Sequence, residues 1–514
     1  MADCYIGGLK WKTLDSSARH TYRQFWRSEA QHHSHVCGIV GVRYAHHQPI
    51  PPIGHGTPCP YENRSAQPII FDLTAALFAR ILSRSFHRIQ GDSMEITSLG
   101  EARFDNPMSF HVDDAARVRY NVIVEPGDTP TDDFLFEVAG PRRRIFFDPP
   151  KTRAGIVTCG GLCPGVNNVI RAIVLELYHR YGVRDIFGFR NGYSGLDPRV
   201  GEKPIPMTPE FVEDIHKDGG TVLNTSRGPV DIRIAVDNLI ARRIDILFTI
   251  GGDGTQRGGA KLFHEARRRG YKLAVVGIPK TIDNDVAFVS RTFGYLTAVE
   301  EVSRVINCAH TEAHSVRNGV ALVKVMGRNA GFIAAGATIA SQDVNFTLVP
   351  ELPFVLDGEN GFLSALKLRL IDREHAVVIA AEGAGQHFFS TEAQRFDASG
   401  NPKLNDIGAY LRQRIEAYLS EEGLPSTLRY FDPSYLIRSV PANAEDAILC
   451  NFFARNAVHA AMAGKTGILI GHQHDTFTHV PIELLEQRKK QLDIDSPLWH
   501  GVVSSTGQNF ACET

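Results

Sequence analysis

The residues Ile244-Asp245-Ile246-Leu247-Phe248-Thr249-Ile250-Gly251-Gly252-Asp253-Gly254-Thr255 decide the fold. Residues 244–250 form an apolar, β-branched run of strand length, and it stops at a glycine pair followed by a carboxylate. The same grammar recurs on both sides. Runs at 155–158, 273–278, 319–325 and 376–381 read as buried strands. Amphipathic segments at 166–181, 230–243 and 297–310 read as the helices between them. Short buried strands alternating with helices predict an α/β protein whose parallel sheets are covered on both faces. Ligands of such sheets sit beyond the carboxyl ends of the strands, where the polar motifs of this chain fall.

Three strand ends carry chemistry. Cys159-Gly160-Gly161-Leu162-Cys163-Pro164-Gly165 leads from a strand into a helix. Glycines there let backbone N–H groups approach an anion, and the helix N-terminus adds its positive end, although a tight turn needs glycine in any case. In Gly251-Gly252-Asp253-Gly254-Thr255 the carboxylate suits a magnesium ion bridging polyphosphate oxygens. A helix-capping aspartate is the competing reading. Pro279-Lys280-Thr281-Ile282-Asp283-Asn284-Asp285 sets two carboxylates beside a lysine and a threonine. One aspartate can take the proton of an attacking hydroxyl while the lysine neutralises phosphate charge. An Asx-rich surface turn is the bland alternative. Three such loops after three strands of one sheet favour phosphoryl transfer.

The 514 residues exceed one ordinary core, so two or three domains are expected. With 55 Lys+Arg against 57 Asp+Glu, the net charge of -2 gives no support to nucleic-acid or anionic-membrane binding. Eight scattered cysteines read as reduced thiols, no apolar run approaches a membrane span, and no targeting signal stands out, so a cytoplasmic protein is expected. The first 150 residues, rich in His and Pro, have one convincing helix at 73–87 and read as an extension that wraps the core or builds subunit contacts. For residues 1–65 a disordered tail competes with that reading.

In order and spacing, these loops resemble the 6-phosphofructokinase family. The resemblance runs from about 139 to 508 and takes in Gly192-Tyr193, Thr225-Ser226-Arg227-Gly228, Met326-Gly327-Arg328, Ala381-Glu382-Gly383 and Asp432-Pro433-Ser434-Tyr435-Leu436-Ile437-Arg438. The stretches AGPRRRIFFDPPKTRAGIVTCGGLCPG (139–165) and LWHGVVSSTGQ (498–508) are most similar to the plant-like and trypanosomatid ATP-dependent branch. The resemblance implies two doubly wound, Rossmann-like domains with parallel-rich sheets plus an N-terminal extension. Their expected bounds are 1–150 for the extension, 151–294 with 439–487 for nucleotide, and 295–438 with 488–514 for fructose 6-phosphate and the tail. It implies Asp283 as base, with Thr281, Lys280, Arg227 and Arg328 around the transferring phosphate, and Asp253 on Mg2+. Gly161, Tyr193, Arg227, Gly228, Gly252, Gly254 and Thr255 are expected at the ATP. Asp285, Met326, Gly327, Glu382, Arg429, Tyr435 and Arg438 are expected at the sugar phosphate. A homotetramer is implied as well.

The chain departs from the shorter bacterial ATP enzymes in its first loop, in having Tyr435 in place of their histidine, and near Gly319, where their second arginine has no clean replacement in Arg317 or Asn318. The route by which a neighbouring subunit reaches the site is therefore open. Gly254 is ATP-type, because a side chain there would obstruct the nucleotide's α-phosphate, whereas Lys280 is pyrophosphate-type. The plant-like branch shares this combination, so the resemblance implies ATP, with pyrophosphate as the alternative donor. A non-catalytic regulatory subunit would have no need to keep Asp253, Asp283 and Arg227.

Overall fold

The computed structural model describes residues 5–6, 9–10, 95–123, 135–226, 228, 230–389, 396, 403–486 and 488–512. The chain divides into two compact units, Met1–Arg88 and Ile89–Thr514. In the first, strands β1 (Tyr5–Ile6) and β2 (Leu9–Lys10) pair antiparallel. The helix expected at 73–87 lies outside the described residues.

In the second unit, β3 (Phe104–Asp105), β4 (Arg117–Arg119), β5 (Leu135–Val138) and β6 (Arg144–Ile145) precede the first long strand, β7 (Arg153–Thr158). Then come α1 (Val166–Leu175), β8 (Asp185–Phe189), β9 (Ile205–Pro206), α2 (Ile232–Ala241), β10 (Ile246–Gly251), α3 (Asp253–Arg268) and β11 (Ala274–Pro279). Helix α4 (Tyr295–His314) crosses to β12 (Gly319–Val325), α5 (Phe332–Ser341), β13 (Phe346–Leu348), α6 (Phe362–Arg373), β14 (His375–Ala381), α7 (Ile407–Glu421) and β15 (Thr427–Phe431). The chain closes with α8 (Ala444–Met462), β16 (Ile468–Gln473), β17 (Thr476–Pro481) and α9 (Pro497–Thr506).

Two larger sheets result. Nine strands run in the order β4-β5-β17-β16-β11-β10-β7-β8-β9, and four in the order β13-β14-β12-β15. The four-stranded sheet is parallel throughout, as is the centre of the larger one from β16 to β8. Its edges are antiparallel: β9 on one side, and β17, β5 and β4 on the other. Every residue of β10 and β11 is buried. That explains their unbroken apolar character, and each large apolar side chain so covered contributes about 1.5–3 kcal/mol. Helix α4 shows the other pattern, burying Ala298, Val302, Ile306, Ala309 and Ala313 at three- and four-residue spacing.

The topology places the site. From β7 the chain moves to β8 on one side and then returns to β10 on the other. The loops after β7 and β10 therefore flank a point where strand order reverses, the crevice of a doubly wound sheet. A backbone bond from Cys159 N to Ile250 O (3.0 Å) ties the two loops together.

Candidate active site

Helices α2, α7, α8 and α9 begin on side-chain caps, from Asp231, Asp406, Asn443 and Ser496. Those that follow the three motif loops do not. Helices α1, α3 and α4 start at Gly165, Gly252 and Gly294, none with a side-chain cap bond. At α4 the buried Asp446 fills that place, its Oδ2 accepting from Thr297 N at 2.7 Å, whereas the starts of α1 and α3 are left as ready anion sites. Asp253 is the first residue of α3, not its cap, so the capping reading of that carboxylate does not hold. Gly254 has no packing reason to be glycine: a Cβ there would meet only Arg257 Nη2, at 4.0 Å, and its φ is not left-handed.

The third loop is folded on itself by its own side chains. Thr281 Oγ1 donates to Asp285 Oδ1 (3.0 Å) and accepts from Asp283 N (3.1 Å). Asn284 sits in the left-handed region (φ 55°), and its Oδ1 accepts from Thr292 N at 3.0 Å. The buried Lys280 reaches back to the first loop, donating from Nζ to Gly161 O at 2.5 Å. Asp283 differs from its neighbours. Its Oδ1 is buried and has no hydrogen-bond partner, an arrangement rare for a carboxylate unless a ligand completes it.

Across from this loop stand the strand ends of the second sheet. Glu382 N bonds Val325 O (2.9 Å) and Gly383 N bonds Gly327 O (3.1 Å), so Met326-Gly327-Arg328 and Glu382-Gly383 lie side by side. A Cβ at residue 383 would fall 2.0 Å from Arg328 O, so only glycine permits this approach.

The electrostatics bind these pieces into one cluster. Burial, then Asp285, then Glu382 push the Asp283 carboxyl well above the carboxylate range, with Lys280 and Arg328 opposing. Burial raises Asp285 against its Thr281 bond and the nearby Lys490 and Lys280. Glu382 is raised by burial and relieved by Arg328, Lys324 and Arg438. Asp253 is pushed up to about 6 by burial and by Asp285, against Arg257 and Lys489. Carboxylates held this close, each resisting its charge, fit a divalent cation. The thiols of the first loop are inert: burial drives Cys159 up to about 12 and Cys163 higher still.

The remaining expected residues are placed as follows. Tyr193 is buried beneath α3, where its hydroxyl donates to Thr255 O (2.6 Å) and its ring fills the space over Gly258. Thr255 is buried as well. Arg438 keeps a buried, unpartnered Nε and lies 4.8 Å from the ring centre of Tyr435, itself 74% exposed. Arg429, half-exposed, is paired with Glu312 of α4 at 3.6 Å. Gly228 adopts φ 115°, and Arg227 lies outside the described residues. Two cations are absent from the sequence reading. Lys489 acts on Asp253, while Lys490 acts on Asp285 and is pushed down to about 7 by burial. Lys490 donates to Val289 O and Ser290 O, both at 2.8 Å. With Arg488, Tyr120, Phe288 and Gln473 the two lysines line a cavity of about 280 Å³. The run Arg488-Lys489-Lys490 was the available signal, but nothing in it told a site from a solvated surface.

Residues 153–461 match the phosphofructokinase family. The chain is 45% identical to the ATP-dependent 6-phosphofructokinase of Borreliella burgdorferi, over 82% of this chain and 98% of that one. The chain belongs to the phosphofructokinase family. ATP-dependent 6-phosphofructokinase 7 of Arabidopsis thaliana is 46% identical over 73% of this chain and 77% of its own. The ATP-dependent 6-phosphofructokinase of Trypanosoma brucei brucei is 42% identical over 80% and 86%. Among solved structures, the pyrophosphate-dependent phosphofructokinase of Marinobacter aquaeolei superposes with a TM-score of 0.57 over 71% of this chain and 93% of that one. At 20% identity it shows the phosphofructokinase fold and no more. The fold and family expected from the motifs thus hold, and no described helix is long and apolar enough to cross a membrane.

Proposed function

We infer that the protein is a 6-phosphofructokinase that transfers the terminal phosphoryl group of ATP to the 1-hydroxyl of fructose 6-phosphate. The observation that carries this reading is the unpartnered Oδ1 of Asp283, set between the phosphate-type helix starts of one sheet and the Arg328–Glu382 end of the other. Asp283 would accept the hydroxyl proton as the sugar oxygen bonds to phosphorus and the bond from phosphorus to ADP breaks. Its raised affinity for a proton makes it a stronger base than an ordinary carboxylate. Lys280, Thr281, Arg227 and Arg328 would steady the charge that spreads over the transferring oxygens, and the first turns of α1 and α3 would cradle the remaining phosphates.

Asp253, with Asp285 beside it, has the donor set for Mg2+, which supplies charge neutralisation to the phosphate oxygens when bound. Glu382, Met326 and Gly327 would hold the sugar, and Arg438 its 6-phosphate, to which a guanidinium fork is suited. For the donor, the open space at Gly254 supports a nucleotide. Lys280, the feature shared with pyrophosphate users, donates to Gly161 O, which holds its ammonium beside the first loop, where its charge serves either donor. The proposal includes a homotetramer, in which the exposed Tyr435 and Leu436 would face a second copy, and a cytoplasmic setting. Relatives include proteins named chloroplastic. The test is the product: phosphorus and carbon NMR of a reaction with MgATP should show a new phosphate on C1. A product phosphorylated elsewhere, or no product, would overturn the reading.

A further inference from the structure

We propose a second metal site, for zinc or a similar borderline transition metal, formed by His310, His314 and His375. The first two sit four residues apart in the last turns of α4, hence on one face, and His375 opens β14 beneath them. One ligand nitrogen from each lies within 4.8 Å of the other two. The ring centres are 4.4 to 5.5 Å apart. Tetrahedral zinc with bonds of about 2.0–2.1 Å needs nitrogens roughly 3.4 Å apart. A shift on the order of 1 Å closes the triangle, and the exposed His314 is free to make it.

The partners of the rings argue for a ligand set. His375 Nδ1 lies 2.9 Å from Arg373 O, which fixes the proton on that nitrogen and turns the Nε2 lone pair outward. His310 Nδ1 faces Asp343 Oδ1 at 3.6 Å. A carbonyl behind one imidazole and a carboxylate behind another is the backing that metal-binding histidines use to set tautomer and basicity. The three rings supply no acceptor–donor pairing among themselves in the structure, so a shared cation gives their convergence a purpose. An all-nitrogen set favours zinc, copper or nickel over Mg2+ or Ca2+.

The position suggests the role. Helix α4 begins just beyond the Asp283 loop and ends at His314, and β14 begins at His375 and ends against Glu382. The metal would clamp the far ends of two elements whose near ends carry the active site, and so would be structural rather than chemical. The experiment uses the full chain, stripped with EDTA, in excess Mg2+ to mask the aspartates, titrated with Zn2+ by calorimetry and with Co2+ by visible absorption. We expect one zinc per chain with a Kd of micromolar or below, a cobalt spectrum of low-symmetry nitrogen ligation, and a zinc-dependent rise in melting temperature. In His314→Gln, whose side chain is exposed, affinity should fall at least about 100-fold and the melting shift should vanish, with kinase turnover unchanged. No binding at 100 µM zinc by the parent chain, or equal binding by parent and variant, would overturn the proposal.

Discussion

Replacing Asp253 by asparagine should strengthen the fold while disabling catalysis, and the size of the gain follows from the site. Burial and the neighbouring Asp285 raise this carboxyl from 3.8 to about 6, in spite of Arg257 and Lys489. At about 1.4 kcal/mol per pH unit, that gap corresponds to roughly 3 kcal/mol by which the ionised group weighs on the folded state alone. The sign is opposite to that of a salt-bridged aspartate. Above about pH 6 the penalty is present in full; as pH falls it fades, and below about pH 4 both states are protonated and it is gone. Asp253→Asn should therefore unfold later than the parent at pH 8 in EDTA, by roughly 3 kcal/mol, and by about half of that at pH 5. Urea melts at the two pH values measure it. Adding Mg2+ should raise the parent and leave the variant nearly unmoved, narrowing the gap. A variant no more stable than the parent at pH 8, or a gap independent of pH, would refute the reasoning that Asp253 is held at an electrostatic cost for a cation.

Other consequences concern catalysis. Asp283→Asn should lower kcat by about 10²–10⁴ with little change in the KM for fructose 6-phosphate, as steady-state kinetics would show. In Gly254→Asp the added Cβ meets no protein atom nearer than Arg257 Nη2, so the melting temperature should hold. Its kcat/KM for ATP should nevertheless fall by at least about tenfold. Arg438→Ala should raise the KM for fructose 6-phosphate by roughly 10–100-fold, the loss of a charge-assisted contact, with kcat less affected. Saturation curves in fructose 6-phosphate separate the two effects.

The three motif loops were legible in the sequence because each joins two strong local signals, a β-branched apolar run and a break at glycines or carboxylates. The strands at 153–158, 246–251, 274–279, 319–325 and 375–381 fall within a residue or two of where periodicity put them. What was not legible depends on pairing at a distance. Strands β4 and β5, within the stretch read as an extension, are short and half-exposed, and they exist because β17 offers them an edge. Lys489 and Lys490 belong to no motif, and only the fold sets their charges against Asp253 and Asp285. His375 is remote from His310 and His314 in the chain, so only the packing of α4 on β14 reveals the cluster. Tyr193 was expected at the nucleotide by resemblance alone, and only the fold shows that its hydroxyl bonds a buried carbonyl under α3.

The central claim, ATP-driven phosphorylation of fructose 6-phosphate, is tested most directly by supplying purified protein with MgATP and magnesium pyrophosphate in parallel and following fructose 1,6-bisphosphate. The account predicts turnover with ATP and little with pyrophosphate, because Gly254 leaves room for the nucleotide. Turnover with pyrophosphate alone would contradict the donor assignment, and none with either would contradict the enzyme itself.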